Sequence, residues 1–196
     1  MSPSRPSLAA VLFDMDGTLI DSEKLWSLAL DEVSRDLGGE LSPATRLAMV
    51  GTDLVSSVQM LLDDLGVAGE VDVVQRLLVD ATARHFATSI EWRPGAQELL
   101  QTVRAAGLPT ALVTSTHRNL TSTALETIGR GNFDAIVCGD DVTATKPDPE
   151  PYLRALAELA VDPTRTVAIE DSPAGSASAA AAGLRTLVVP LEVPVA

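Results

Sequence analysis

The sequence has little cysteine and little positive charge, and it contains no long apolar run. Its single cysteine, Cys138, rules out a disulfide within the chain. Only 14 lysines and arginines stand against 27 acidic residues, and the net charge of −13 repels nucleic-acid backbones and anionic membranes. No apolar stretch could span a bilayer, and Met1–Pro6 lacks the apolar core of a signal peptide. We therefore expect a cytoplasmic protein with no nucleic-acid and no membrane partner.

A glycine-rich Walker loop is also missing, so a nucleoside triphosphate is not an expected cofactor. The composition, 46% apolar and 21% charged, is that of a globular chain rather than a disordered one. A length of 196 residues leaves room for one core domain and a sizeable insertion.

The spacing of apolar residues divides the chain into two patterns. After the apolar run Leu8–Phe13, the segments 21–37, 53–65 and 71–86 carry apolar residues at helical spacing. From Pro94 onward helices and strands alternate, which indicates a doubly wound parallel sheet of the α/β class. The predicted elements there are helix Pro94–Ala106, strand Pro109–Val113, helix Arg118–Ile128, strand Ala135–Val137, helix Pro149–Ala160, strand Thr166–Ile169, helix Ala174–Ala182 and strand Thr186–Val189.

The two patterns predict two domains. Residues 1–20 and 93–196 would form a Rossmann-like core, and residues 21–92 a helical insertion. The chain crosses between them at 21–23 and 91–95, where turn and helix-start residues would serve as hinges.

Two carboxylates, Asp14 and Asp16, directly follow the first predicted strand. The carboxyl ends of parallel strands are where open α/β sheets bind ligands. Like charges this close repel each other and lose solvation, so such a site supplies a cation, keeps one carboxyl protonated, or does each in turn. Phosphoryl transfer through an aspartate could use all of these arrangements.

Thr114 and Ser115 follow the strand that ends at Val113. A hydroxyl and free backbone N–H groups at that position could hold phosphate oxygens. Taken alone, the same residues are explained more simply as an ordinary helix N-cap by serine or threonine, because such caps begin many helices. The sequence leaves both readings open.

Lys146 and the pair Glu170-Asp171 lie in two further loops of the same sheet edge. Lys146 could neutralise a phosphate and a nucleophile together, although it could also be a solvated turn lysine. The carboxylates could ligate Mg²⁺ opposite Asp14, or belong to a plain polar loop. Asp148 is expected to cap the helix that follows Lys146.

Four clusters together resemble the ordered motifs of the haloacid dehalogenase-like hydrolase superfamily. They are Asp14-x-Asp16-Gly17-Thr18-Leu19, the hydroxyl Thr114 after a strand, Lys146-Pro147-Asp148-Pro149 and Glu170-Asp171-Ser172-x-x-Gly175. Single motifs of this kind are weak, but their order, spacing and strand context match over nearly the whole chain. The helical insertion is similar to that of the subfamily containing β-phosphoglucomutase and small sugar-phosphate phosphatases.

The resemblance implies a Mg²⁺-dependent phosphatase that hydrolyses a small phosphorylated metabolite through an aspartyl-phosphate on Asp14. Asp16 would protonate the leaving alcohol and then accept a proton from water. Thr114, the N–H of Ser115 and Lys146 would hold the phosphoryl oxygens. The implied metal ligands are the Asp14 and Asp171 carboxylates and the Asp16 carbonyl, with Glu170 acting through water.

The resemblance also implies that the helical insertion is a cap that closes over the site and sets specificity. Its candidate substrate contacts are Trp26 and the loop residues Gly51 and Thr52, followed by Asp53, with His117 and its neighbour Arg118 supplied by the core. Trp26 is equally well explained as plain cap core, and His117 as a helix-surface residue. Because many relatives with such caps are monomers, we expect a monomer.

Alternatives remain. A β-phosphoglucomutase-like phosphotransferase is the nearest, although the cap loop Val50–Leu54 lacks the basic residues that grip a second phosphate in that branch. Dehalogenases of the superfamily lack the second aspartate, so Asp16 argues against carbon–halogen chemistry. Outside the enzymes, a phosphoaspartate signalling receiver or a phosphatase-like binding module is possible, but the paired aspartates and the large insertion disfavour the receiver.

Overall fold

The computed structural model describes residues 8–49, 54–88 and 90–189. Within these ranges a first strand leads into four helices, after which helices and strands alternate. In chain order the elements are β1 (Ala10–Phe13), α1 (Glu23–Asp36), α2 (Pro43–Ala48), α3 (Leu54–Leu65), α4 (Val71–Thr88), α5 (Ala96–Ala105), β2 (Thr110–Val113), α6 (Arg118–Ile128), β3 (Ala135–Val137), α7 (Glu150–Leu159), β4 (Thr166–Glu170), α8 (Pro173–Ala181) and β5 (Arg185–Val188).

The strands form one parallel sheet in the order β3-β2-β1-β4-β5. The central strand β1 pairs with β2 and β4. Its side chains Ala10 and Leu12 contribute to a core shared with α7 and α8. Val11 and Phe13, which alternation directs to the opposite face, are buried as well, so helices cover both faces. This confirms the predicted doubly wound α/β class.

The predicted elements lie within two residues of the observed ones, and α6 and β3 have the predicted bounds. The short helix α2 was not predicted, because six residues are too few to show an apolar period. Local chemistry begins it: the Ser42 side chain accepts a hydrogen bond from the Thr45 N–H, and Pro43 occupies the first turn.

The chain separates into two compact units, Met1–Asp21 with Glu91–Ala196 and Ser22–Ile90. The first unit carries the sheet, and its two crossing segments run side by side, with a bridge between Ile20 and Trp92. The second unit contains α1 to α4. That the helical unit acts as a cap stays a prediction.

The helical unit has an apolar core of its own. On α1 the half-buried side chain of Trp26 packs against that core, which supports its reading as a packing residue. Glu32 on α1 forms hydrogen bonds with Arg84 and His85 on α4. None of the described helices is both long and apolar enough to cross a membrane.

Candidate active site

The polar clusters predicted from the sequence meet at the carboxyl edge of the sheet. Asp14 follows β1, Thr114 follows β2, and Glu170 ends β4. Because these three strands are adjacent and parallel, their carboxyl ends lie side by side. Lys146 joins them from the loop between β3 and α7.

Lys146 is the centre of the cluster. Its ammonium donates hydrogen bonds to Asp14 Oδ1 (2.6 Å), to Glu170 Oε1 (2.6 Å) and to the Val113 carbonyl (2.8 Å). These contacts use all three donors of the group. Since the side chain is only 5% exposed, the alternative of a solvated turn lysine is wrong.

Glu170 is completely buried, and both of its oxygens have partners. Oε1 also accepts a hydrogen bond from the Tyr152 hydroxyl (2.9 Å). Oε2 accepts one from the Ser172 hydroxyl (3.0 Å) and from the backbone N–H groups of Asp171 and Ser172 (3.2 Å each). A Cβ on Gly175 would lie 1.8 Å from Oε1, so the α8 backbone closes directly over this carboxylate.

Asp171 offers a freer carboxylate. The Thr18 hydroxyl donates to its Oδ1 (3.1 Å). Asp14, Glu170 and Asp171 each present an oxygen within 4.8 Å of the others, an arrangement that could hold a metal ion. Carboxylate oxygens are the hard donors preferred by Mg²⁺, Mn²⁺ and Ca²⁺, so the donor set fits a divalent cation. Because hydrogen bonds already occupy both oxygens of Glu170, the carboxylates of Asp14 and Asp171 are the better available metal ligands of the three.

The electrostatics of the cluster also favour a cation, because several carboxyl groups share a single buried ammonium. Burial, with further contributions from neighbouring carboxylates, raises the pKa of Asp14 to about 8 against the opposing charge of Lys146. Burial and the charge of Glu170 raise the pKa of Asp171 to about 6. Although burial alone would raise it, the charge of Lys146 and several hydrogen bonds lower the pKa of Glu170. The pKa of Lys146 is raised, since Asp14 and other neighbours outweigh the effect of burial.

Asp16 is held by hydroxyl groups. The Thr114 hydroxyl (3.2 Å) and the Thr116 hydroxyl (2.7 Å) both donate to its Oδ2. Its Oδ1 is buried and has no hydrogen-bond partner among the described residues. Sequence reasoning missed Thr116; the only signal for it was the run of hydroxyl residues at 114–116.

The helix-cap reading of Thr114 and Ser115 is wrong. Helix α6 begins after His117, and the Arg118 N–H donates to Asp140 Oδ1 (2.9 Å). Thr114 therefore remains available to Asp16. The Ser115 carbonyl packs on Gly139, where a Cβ would lie 2.1 Å from the carbonyl oxygen, and this close approach fixes the loop after β2.

The predicted substrate contacts are not gathered in the same way. Exposed His117 precedes α6 in the sheet unit. Trp26 belongs to the helical unit, and Gly51 and Thr52, like Asp53, lie outside the described residues. Asp148 is not the N-cap of α7 that the sequence predicts: Pro149 takes that position, and Asp148, one residue earlier, accepts the Glu150 N–H with its Oδ1 (2.9 Å).

Comparison with known proteins agrees with this arrangement. Residues 11–189 match the family described as haloacid dehalogenase-like hydrolase. The chain is 32% identical over 184 residues to the phosphorylated carbohydrates phosphatase of Thermotoga maritima, covering 92% of this chain and 84% of that one. It is 34% identical over 197 residues to hexitol phosphatase B of Escherichia coli K12, covering 97% and 86%.

A solved structure is similar over nearly the same length. The crystal structure of CbbY from Rhodobacter sphaeroides in complex with phosphate superposes with a TM-score of 0.81 at 32% identity, covering 93% of this chain and 86% of that chain. The resemblance stated from the four motifs is confirmed, and this chain belongs to the haloacid dehalogenase-like hydrolases.

Proposed function

We propose that the protein is a Mg²⁺-dependent phosphatase that hydrolyses a small phosphomonoester, a sugar phosphate or a similar metabolite, through an aspartyl-phosphate on Asp14. The observation that carries the proposal is the separation of roles between two aspartates two residues apart. Asp14 is paired with a buried ammonium, whereas Asp16 is held by two hydroxyls. The names of the relatives, a phosphorylated carbohydrates phosphatase and a hexitol phosphatase, support the substrate class.

Asp14 must be ionised to attack phosphorus, although its burial favours the protonated form. Lys146 supplies part of the compensating charge at 2.6 Å. A divalent cation held by the Asp14 and Asp171 carboxylates and the Asp16 carbonyl would supply the rest, neutralising charge on the phosphoryl group when bound.

The attack forms a bond from Asp14 to phosphorus and breaks the bond to the leaving oxygen. Asp16 donates a proton to that oxygen, so the leaving group departs as a neutral alcohol. Asp16 then accepts a proton from the water that attacks the aspartyl-phosphate, which restores the Asp14 carboxylate and releases inorganic phosphate.

Phosphoryl oxygens would be held at the end of β2 by the Ser115 N–H, where charge develops in the transition state. The Thr114 hydroxyl, which donates to Asp16 Oδ2, would bind a phosphoryl oxygen only by exchanging that hydrogen bond. All three donors of Lys146 are already in use, so a phosphoryl contact would require one of its present bonds to be exchanged. We therefore assign Lys146 first to the charge of Asp14.

The helical unit Ser22–Ile90 has its own apolar core, which suits a body that moves as one piece. In this proposal it acts as a cap that excludes water and contacts the alcohol portion of the substrate. Trp26, Gly51, Thr52 and His117 are the residues we would vary first to change substrate preference.

The test is phosphate release from p-nitrophenyl phosphate and from a panel of sugar and sugar-alcohol phosphates, with Mg²⁺ or with a chelator. We expect release only with the metal, a phosphoryl adduct on Asp14 after acid quenching, and no release by the Asp14→Asn variant. Glu158→Gln, a carboxylate-to-amide change that affects only an exposed pair with Arg154, is the control and should retain activity. Interconversion of sugar phosphate isomers without phosphate release would indicate a mutase. Undiminished release by Asp14→Asn would contradict the proposal.

A further inference from the structure

The Thr116 hydroxyl lies against the Asp16 carboxylate but has no role in the mechanism proposed for Asp14 and Asp16. Its Oγ1 is 2.7 Å from Asp16 Oδ2, a shorter distance than the 3.2 Å from Thr114 Oγ1. The Thr116 backbone N–H also donates to Thr114 Oγ1 (3.0 Å). The two threonines therefore form one hydrogen-bonded unit around a single oxygen of Asp16.

The direction of these bonds determines which oxygen of Asp16 can carry a proton. The Thr114 hydroxyl donates to Asp16 Oδ2, while its oxygen accepts a hydrogen bond from the Thr116 N–H. The Thr116 hydroxyl donates to the same atom. An oxygen that accepts two such bonds is the acceptor end of the carboxyl group, which leaves Oδ1 as the end for the proton.

The surroundings of Oδ1 are consistent with this reading. That oxygen is buried and has no partner among the residues described. A buried polar atom without a partner costs about 1–3 kcal/mol, so such atoms are uncommon unless a ligand or a reaction uses them. Once Oδ1 carries the proton, rotation of the carboxyl group would turn its O–H toward the two hydroxyl donors and lose their hydrogen bonds, so the hydroxyl pair keeps Oδ1 in place.

We propose that Thr116 is a positioning residue: together with Thr114 it fixes Oδ2 of Asp16 so that Oδ1 delivers the proton to the leaving alcohol. This inference rests on the proposed function, in which Asp16 is the general acid. Thr116 itself touches no reacting atom in this scheme. Its removal should harm the step that needs a proton and spare the step that needs none.

The experiment compares two leaving groups in single-turnover formation of the phosphoenzyme. An alkyl phosphate, such as a hexitol phosphate, requires protonation of the leaving oxygen, whereas p-nitrophenolate leaves without it. Thr116→Val removes the hydroxyl but keeps the branched shape and the N–H that bonds Thr114. General acids contribute about 10²–10⁴-fold, and we expect Thr116→Val to lose about tenfold or more on the alkyl phosphate and less than about threefold on p-nitrophenyl phosphate.

Three further variants make the result specific. Thr116→Ser keeps a hydroxyl and should restore the alkyl phosphate rate to within about threefold of wild type. Thr116→Ala is the substitute if the valine variant does not fold. Thr123→Val removes an α6 hydroxyl that donates only to the Asn119 carbonyl, and should leave both rates unchanged.

The outcomes separate this inference from the proposed function. Equal slowing of both substrates by Thr116→Val, or no slowing of either, overturns the positioning role while the wild type remains an active phosphatase. A wild type that releases no phosphate, or an Asp16→Ala variant that phosphorylates as fast as wild type from the alkyl phosphate, overturns the proposed function and this inference with it.

Discussion

Replacing Asp14 with asparagine should stabilise the metal-free protein at alkaline pH while abolishing activity. Burial raises the pKa of Asp14 from 3.8 to about 8, so the folded state binds this proton more tightly than the unfolded state does. The stability that the proton contributes is fully present below about pH 4 and is lost as the pH rises through about 8. The neutral carboxamide of Asp14→Asn binds no proton, so it adds no such pH dependence to the free energy of unfolding.

The size of the effect follows from the shift. One pKa unit corresponds to about 1.4 kcal/mol, so the whole shift sets a ceiling of about 6 kcal/mol. Between about pH 6 and 8 the slope is at most about 1.4 kcal/mol per pH unit, and we expect a loss of about 2–3 kcal/mol there. The raised pKa of Asp171 also makes stability fall with rising pH, but only up to about pH 6. Glu170, whose pKa is lowered, is already ionised in this range and adds no pH dependence.

The assay is urea unfolding in the presence of a chelator at about pH 6, 7 and 8, for wild type, Asp14→Asn and the control Glu158→Gln. The wild type and the control should lose stability with rising pH, and Asp14→Asn should be nearly flat by comparison. Added Mg²⁺ should reduce the loss in the wild type, because it stabilises the ionised carboxylate. If the unfolding free energies of Asp14→Asn and wild type depended on pH in the same way, the raised pKa assigned to Asp14 would be refuted.

Two further substitutions test the packing around Glu170. Gly175→Ala should lower the free energy of unfolding by about 2–3 kcal/mol, because its Cβ would meet the Glu170 carboxylate. Gly131→Ala is the matched control, since a Cβ there meets nothing within 4 Å. Equal stability of the two variants would contradict the close packing of Gly175 on Glu170. Tyr152→Phe keeps the ring but removes one donor to Glu170, so we expect a loss of about 1–2 kcal/mol in urea unfolding, and an unchanged midpoint would show that the hydroxyl contributes nothing to stability.

Assembly of the site could be predicted because a parallel sheet leaves little freedom. Once Leu8–Phe13 and 166–169 are recognised as strands, the residues that follow them must lie at one edge. Asp14 and Glu170 are accordingly brought together, and Lys146 reaches both. The bounds of the helices could be predicted for a different reason, because an amphipathic period over about ten or more residues is a strong signal.

The partners of individual oxygens could not be predicted. Nothing in the spacing of residues along α7 connects Tyr152 with Glu170, yet the Tyr152 hydroxyl donates to that carboxylate, 18 residues later. Thr116 stands in a run of hydroxyl residues where capping, phosphate binding and carboxylate binding have the same sequence pattern. These choices depend on which oxygen a neighbouring strand presents, and that is set by side-chain rotation rather than by spacing.

The charge of the site explains why its donors suit a divalent ion rather than a second ammonium. When Asp14 is ionised for the attack, Asp14, Glu170 and Asp171 carry three negative charges and Lys146 one positive charge, which leaves a net charge of −2 on these four groups. The three hydrogen bonds of Lys146 are already committed, so it has no further donor to offer an incoming anion. A divalent cation held by these carboxylates would cancel that charge, so a phosphate dianion could enter a site that would otherwise repel it.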